Sequence, residues 1–170
     1  VKQNVKEAKD YIEIGQVKYL GEEIQLFGKL DTTIKKINIA WEGKQLVCSS
    51  PEIGTLDIST SLKRFYKKEC RKLVNQKVKA YQPLFKEKVK SVTIESSNVR
   101  WGSCNSNREL TFHWQLILFP IEALEYVVIH EMCHMSHLNH DRSFWRLVGK
   151  HCPDYKEHMR IIGSEKTRGM

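Results

Sequence analysis

Two histidines stand four residues apart in His130-Glu131-Met132-Cys133-His134, and a third, His140, follows six residues later. On an α-helix a four-residue step returns to the same face about 6 Å further along the axis. His130 and His134 therefore form a ready pair of metal ligands, with the Glu131 carboxylate beside them. A catalytic zinc ion takes three protein ligands and keeps a fourth position open. For the third ligand His137 and His140 compete. On a continuing helix His137 lies about 10 Å beyond His130. Three successive turns cannot converge on one ion at metal–nitrogen distances near ~2.1 Å. The chain must bend first, Asn139 offers the bend in the left-handed conformation, and His140 returns from the segment beyond it. The expected ligands are His130, His134 and His140, with His137 supporting them or facing solvent. The expected ion is Zn2+, with another divalent metal as the alternative. Zinc brings the pKa of a bound water toward ~7 and polarises a substrate oxygen. Glu131 is then the expected general base, taking the proton and passing it to the leaving group. Arg100, His113, Tyr126 and Tyr155 are of the right type to donate to a developing oxyanion.

The motif needs a helix to hold it. Pro120 suits the first turn, Glu122 and Glu125 suit the positive end of the helix dipole, and Ile121, Leu124, Val127, Val128, Met135 and Leu138 form one apolar stripe. The histidines fall off that stripe, and the helix is expected to run to about Asn139. Asp141 can cap a following helix, Arg142–His151, and Pro153 separates it from a last short helix, residues 154–162. Ahead of the motif, Arg108–Phe119 reads as a strand and Ser91–Ser97 as another, with a compact turn at Asn98–Cys104 between them. Cys133, between the ligands in sequence, is expected to pack in the core.

Further upstream, short apolar runs at residues 11–14, 17–20, 24–27, 37–40 and 45–48 alternate with glycine-containing turns. That pattern predicts a small antiparallel β subdomain over residues 1–57, preceded by a polar lead-in at 1–10 and followed by a core over residues 58–170. Ser59 to about Gln82 predicts a long amphipathic helix, with Ser59 or Ser61 as its cap and Pro83 at its end.

Composition bounds the rest. The chain has 170 residues and a net charge of +8. The charge is concentrated in residues 59–90, where eleven Lys and Arg face only Glu69 and Glu87. Lys63, Lys67 and Arg71 form one row at four-residue spacing on the predicted helix, and Arg64, Lys68 and Lys72 form the next. Such rows occur on solvated helix faces and on surfaces that meet a polyanion such as nucleic acid. Five cysteines, an odd number with no C-x-x-C pair, argue against a disulfide framework and for free thiols in a reducing compartment. No apolar run is long enough for a membrane helix and no secretory segment opens the chain, so the expected compartment is the cytoplasm.

Several segments together resemble a known family. Arg100-Trp101-Gly102-Ser103-Cys104, His113-Trp114-Gln115-Leu116-Ile117, Tyr126-Val127-Val128-Ile129-His130-Glu131-Met132-Cys133-His134, Asn139-His140, Phe144-Trp145 and Pro153-Asp154-Tyr155 follow one another as in the YgjP-like metal-dependent hydrolases. These are relatives of the SprT and WLM metallopeptidases, the minimal gluzincins. The resemblance implies an α+β, zincin-like metallopeptidase core with the active-site helix on a small sheet. It also implies zinc on His130, His134 and His140, with Glu131 as base. The strand before the helix, Arg108–Phe119, would line the cleft and pair with an extended substrate. His113 and Gln115 depart from the pattern, standing where Asn and Arg are usual. The same residues fit a metzincin spacing, but His137 replaces its turn glycine and no Met-turn follows. The leading expectation is a zinc peptidase acting on peptide or protein, with possible nucleic-acid contact through the basic helix Lys63–Lys79. The alternatives are a metal-dependent phosphohydrolase or nucleotide pyrophosphatase, and a non-enzymatic nucleic-acid-associated metal-binding module.

Overall fold

The structure is a computed structural model and describes residues 11–52, 54, 57–96 and 100–163. The lead-in expected at residues 1–10, part of the turn at 98–104 and the tail beyond Gly163 lie outside those residues. The fold is α+β, and the chain divides into two compact units, Val1–Phe65 and Tyr66–Met170.

The first unit is a four-stranded sheet of β1 (Ile12–Tyr19), β2 (Glu22–Leu30), β3 (Asn38–Glu42) and β4 (Gln45–Ser50), in the order β1-β2-β4-β3. The first two apolar runs form one strand. Gly15, with φ +142°, makes a bulge in β1 where a turn was expected, and the register shifts between Glu13 and Gly15. The sheet is also not wholly antiparallel, because β2 and β4 pair in parallel. The link at residues 31–37 is long enough for the β3–β4 hairpin to dock with either strand inward. β4 goes inside because Leu46, Val47 and Cys48 are consecutive and all buried, which suits a central strand covered on both faces. Helix α1 spans Ser59–Tyr81, and its first backbone bond runs from the Leu62 N–H to the Ile58 carbonyl, so neither Ser59 nor Ser61 is at the cap position. The Asp57 carboxylate accepts from the Ser59 backbone N–H at 3.0 Å, while the Ser61 hydroxyl donates to the Ile37 carbonyl.

In the second unit, α1 buries Tyr66, Cys70, Val74 and Val78. The strands β5 (Ser91–Glu95), β6 (Gly102–Cys104) and β7 (Glu109–His113) form a sheet in the order β5-β7-β6, with β5 parallel and β6 antiparallel to β7. Strand β7 is shorter than expected and ends at His113. The chain then winds into a 3-10 turn, Trp114–Leu118, because the His113 ring accepts the Gln115 N–H at Nδ1. This turn buries the adjacent Leu116 and Ile117 together, which an alternating strand could do only with both faces covered. Strand β7 is paired on both sides, so it offers no edge to a substrate. Among the described residues, the sheet edge nearer the motif helix is β6.

Helix α2 (Ile121–Cys133) follows Pro120 and packs on β6, α3 (Arg142–His151) and α4 (Tyr155–Ile162). It is buried on nearly every face from Ala123 to Cys133, so the single apolar stripe understates its burial. A salt bridge from Lys77 to Glu125, 2.6 Å long, ties it to α1. All five cysteines are free thiols, and Cys48, Cys70, Cys133 and Cys152 are buried. Among the described residues no helix is long and apolar enough to cross a membrane.

Candidate metal centre

Helix α2 ends at Cys133, about one and a half turns earlier than expected. The bend placed at Asn139 therefore begins at His134, whose backbone N–H still bonds to the Glu131 carbonyl. Residues 134–140 turn back over the helix end, and Asp141 caps α3 by accepting from the Phe144 N–H at 2.9 Å. This early turn brings His140 to the motif. Its Nε2 lies 3.2 Å from His130 Nε2 and 3.1 Å from His134 Nε2. Three imidazole nitrogens around a tetrahedral ion with metal–nitrogen bonds near ~2.05 Å would lie about 3.3 Å apart.

The outer ring nitrogens support that use. His134 Nδ1 donates to the His137 carbonyl at 2.9 Å, which leaves the His134 Nε2 lone pair facing the other two rings. His130 Nδ1 lies 3.1 Å from the hydroxyl of Tyr126, one turn back on α2 and fully buried. His137 thus contributes its main chain, and its side chain is not part of the cluster. Burial holds His130 well below the ordinary histidine range, helped by His134 and His140. Burial also lowers His134 and His140. All three rings are neutral near pH 7, the form that binds metal. Phe144 packs the cluster from below, stacking on His134 with centroids 4.3 Å apart and meeting His130 and His140 edge-on.

Glu131 is 0 % exposed, and neither carboxylate oxygen has a hydrogen-bond partner. Burial pushes its pKa up to about 8, against the opposing pull of Arg100. Such a buried and unpaired group is costly unless something answers it. Space for the carboxylate comes from Gly102 on β6. A Cβ there would meet Glu131 Cγ at 2.9 Å and Oε1 at 3.0 Å, inside van der Waals contact. The Gly102-Ser103-Cys104 stretch belongs to the turn expected at Asn98–Cys104. It is instead an edge strand whose glycine makes room for Glu131, a residue remote from it in the chain. The close nitrogens, the orphaned carboxylate and the glycine cradle together fit a divalent cation.

The possible oxyanion donors fare differently. Tyr126 serves His130, Tyr155 stacks on Trp145, and His113 is buried between Trp101 and Trp114. Arg100 is exposed and is the charge that Glu131 feels.

Two histidines at the end of a buried helix and a third from the turn after it, beside a short sheet edge, make a candidate metal centre. The chain matches the YgjP-like metallopeptidase domain model over residues 1–164, and it belongs to that family. No curated protein matches it. Among solved structures it is similar to the metallopeptidase zymogen abylysin of Pyrococcus abyssi, at 22% identity and a TM-score of 0.48. That match covers 52% of this chain and 90% of the other.

Proposed function

We propose that the protein is a zinc-dependent peptidase in which His130, His134 and His140 hold the ion and Glu131 is the general base. The observation that carries this reading is the set of three Nε2 atoms, with His140 3.1–3.2 Å from the other two, beside a fully buried, unpaired carboxylate. A zinc ion held there supplies an activated water and a Lewis acid for the scissile carbonyl. The chain supplies the rest. Burial alone favours the protonated form of Glu131, and a cation held beside it would favour the carboxylate, which can accept a proton and return it to the leaving amine. The β6 edge, with Gly102 against Glu131, can pair with an extended peptide and hold its bond at the carboxylate. The Tyr126 hydroxyl and the His137 carbonyl hold two ligand rings in the orientation that the ion needs. The odd cysteine count supports a reducing compartment, the cytoplasm.

The test is a panel of unstructured peptides and nucleoside triphosphates incubated with the zinc-loaded protein. Peptide cleavage abolished by a chelator is expected. Hydrolysis of the nucleotides alone would put the bond in the wrong class.

Gly102→Ala adds a methyl where the carboxylate lies. It is expected to keep bound metal, to lower turnover by about 10- to 100-fold through displacement of the base, and to cost about 1–3 kcal/mol of stability from overpacking. Unchanged turnover would show that the close approach does not position Glu131.

A second property follows from α1, whose Arg64, Lys68, Arg71 and Lys72 are exposed and have few acidic neighbours in sequence. They support binding to a polyanion, and single- or double-stranded DNA is the natural probe. Replacing these four by Gln is expected to lower the slope of log affinity against log salt by about 0.7–0.9 for each phosphate no longer neutralised. Binding with no salt dependence, or none at all, would leave a solvated helix face.

A further inference from the structure

The junction between α3 and α4 carries a second cluster of donor atoms, in a part of the chain the peptidase chemistry does not use. Cys152 follows the last residue of α3, Asp154 stands at the N-terminal cap position of α4, and His158 lies one turn further on. Cys152 Sγ is 3.6 Å from Asp154 Oδ1, and Asp154 Oδ2 is 3.1 Å from His158 Nε2. One sulfur, one oxygen and one nitrogen from these residues all lie within 4.8 Å of each other. Cys152 and His158 are buried, and Asp154 closes the cluster on the solvent side.

The Asp154 carboxylate does not play the part usual at its position. A cap Asp accepts a backbone N–H from the first turn, as Asp141 does for α3. Asp154 makes no such bond, and its two oxygens face the thiol and the imidazole instead. The imidazole is fixed in that direction by its packing, since the Tyr126 ring stacks on it with centroids 6.3 Å apart. Its other nitrogen, Nδ1, is buried without a hydrogen-bond partner, so no competing bond draws the ring away. A tetrahedral ion with metal–sulfur bonds near ~2.3 Å and metal–nitrogen and metal–oxygen bonds near ~2.0–2.1 Å has donor–donor edges of about 3.3–3.6 Å. Both of these edges lie close to that range, and the sulfur–nitrogen edge is no longer than 4.8 Å.

The geometry points to a second divalent-cation site, formed by Cys152, Asp154 and His158 with solvent completing the shell. A thiolate, an imidazole and a carboxylate together select a borderline-soft ion such as Zn2+ or Co2+ over Mg2+ or Ca2+. The ion would pin the start of α4 to the end of α3. It does not depend on the histidine cluster, and the two sites differ in one measurable respect: only this one has a sulfur ligand.

Cobalt loading of the full chain tests it. Two equivalents of Co2+ are expected, with a near-ultraviolet thiolate-to-cobalt charge-transfer band. Cys152→Ser should remove the band and one equivalent, while His134→Ala should remove the other equivalent and leave the band intact. Asp154→Asn changes an exposed side chain, so the fold is preserved, and it should weaken the sulfur-bound equivalent about tenfold or more. Absence of the band in the unmodified chain, a band that survives Cys152→Ser, or a sulfur-bound equivalent indifferent to Asp154→Asn would each overturn the assignment, whereas a single equivalent that carries the band would count against the histidine cluster alone.

Discussion

Glu131→Gln is expected to retain the metal and lose about 10²- to 10⁴-fold in turnover, the range over which a positioned general base contributes. The amide has nearly the shape of the carboxylate, so it fits the space that Gly102 leaves and does not disturb His130 one residue away. What it cannot do is accept the proton. Peptide cleavage by the variant at a rate within a few-fold of the unmodified protein would remove Glu131 from the mechanism. The substitution has a second consequence in the metal-free protein. There the folded carboxyl titrates at about 8, whereas in the unfolded chain it titrates near its ordinary value of 4.5. Between those values the folded state holds a proton that the unfolded state has released, so folding takes up a proton and stability falls as pH rises. Below the unfolded value both states are protonated and the penalty is absent. Glu131→Gln should flatten that part of the profile, measured by denaturant unfolding in the presence of a chelator. An unchanged slope between about pH 5 and 8 would mean that other groups govern it.

The site is more legible in the sequence than its surroundings, for reasons that can be stated residue by residue. The His130–His134 step is local, so helix geometry alone puts both rings on one face. His140 follows from reach, because a straight helix carries His137 too far. The capping of α3 by Asp141 is local as well, and its hydrogen bond is present. Other features depend on partners remote in sequence. That Gly102 must lack a side chain is set by Glu131, and nothing within a few residues of Gly102 records it. The burial of α2 on almost all sides comes from β6, α3 and α4 arriving from different directions, which a single stripe does not register. The parallel β2–β4 pair depends on which strand of a hairpin lies inward, and the run of consecutive apolar residues Leu46, Val47 and Cys48 is the local sign of it. The end of β7 at His113 turns on one ring nitrogen accepting a backbone N–H two residues ahead.

The same distinction between local and remote partners predicts how the three nearby histidines will separate by mutation. In a Cys152→Ser background, which isolates the histidine cluster, His134→Ala and His140→Ala are each expected to weaken zinc binding by more than about a hundredfold. That exceeds the roughly 10- to 100-fold cost of losing a partner outside the ligand set. Two remaining imidazoles leave the ion half-satisfied by protein, and the three close Nε2 atoms show no spare donor among the histidines to replace the lost ring. His137→Ala is expected to bind zinc within a few-fold of the unmodified site, because its part in the cluster is the main-chain carbonyl that accepts from His134 Nδ1, and alanine keeps that carbonyl. Tyr126→Phe should fall between, losing about 10- to 100-fold, since the hydroxyl beside His130 Nδ1 disappears while the ligand itself stays. Chelator competition reads all four. The binding should also appear as stability, with about 2.7 kcal/mol of protection at a hundredfold excess of free zinc over Kd in the parent protein and less than about 0.4 kcal/mol at that concentration in the His134 and His140 variants. Loss of the metal in His137→Ala with retention in His140→Ala would reverse the third ligand. It would also require the turn at residues 134–140 to be rebuilt, because in this arrangement only His140 brings a ring nitrogen within 3.2 Å of both motif histidines.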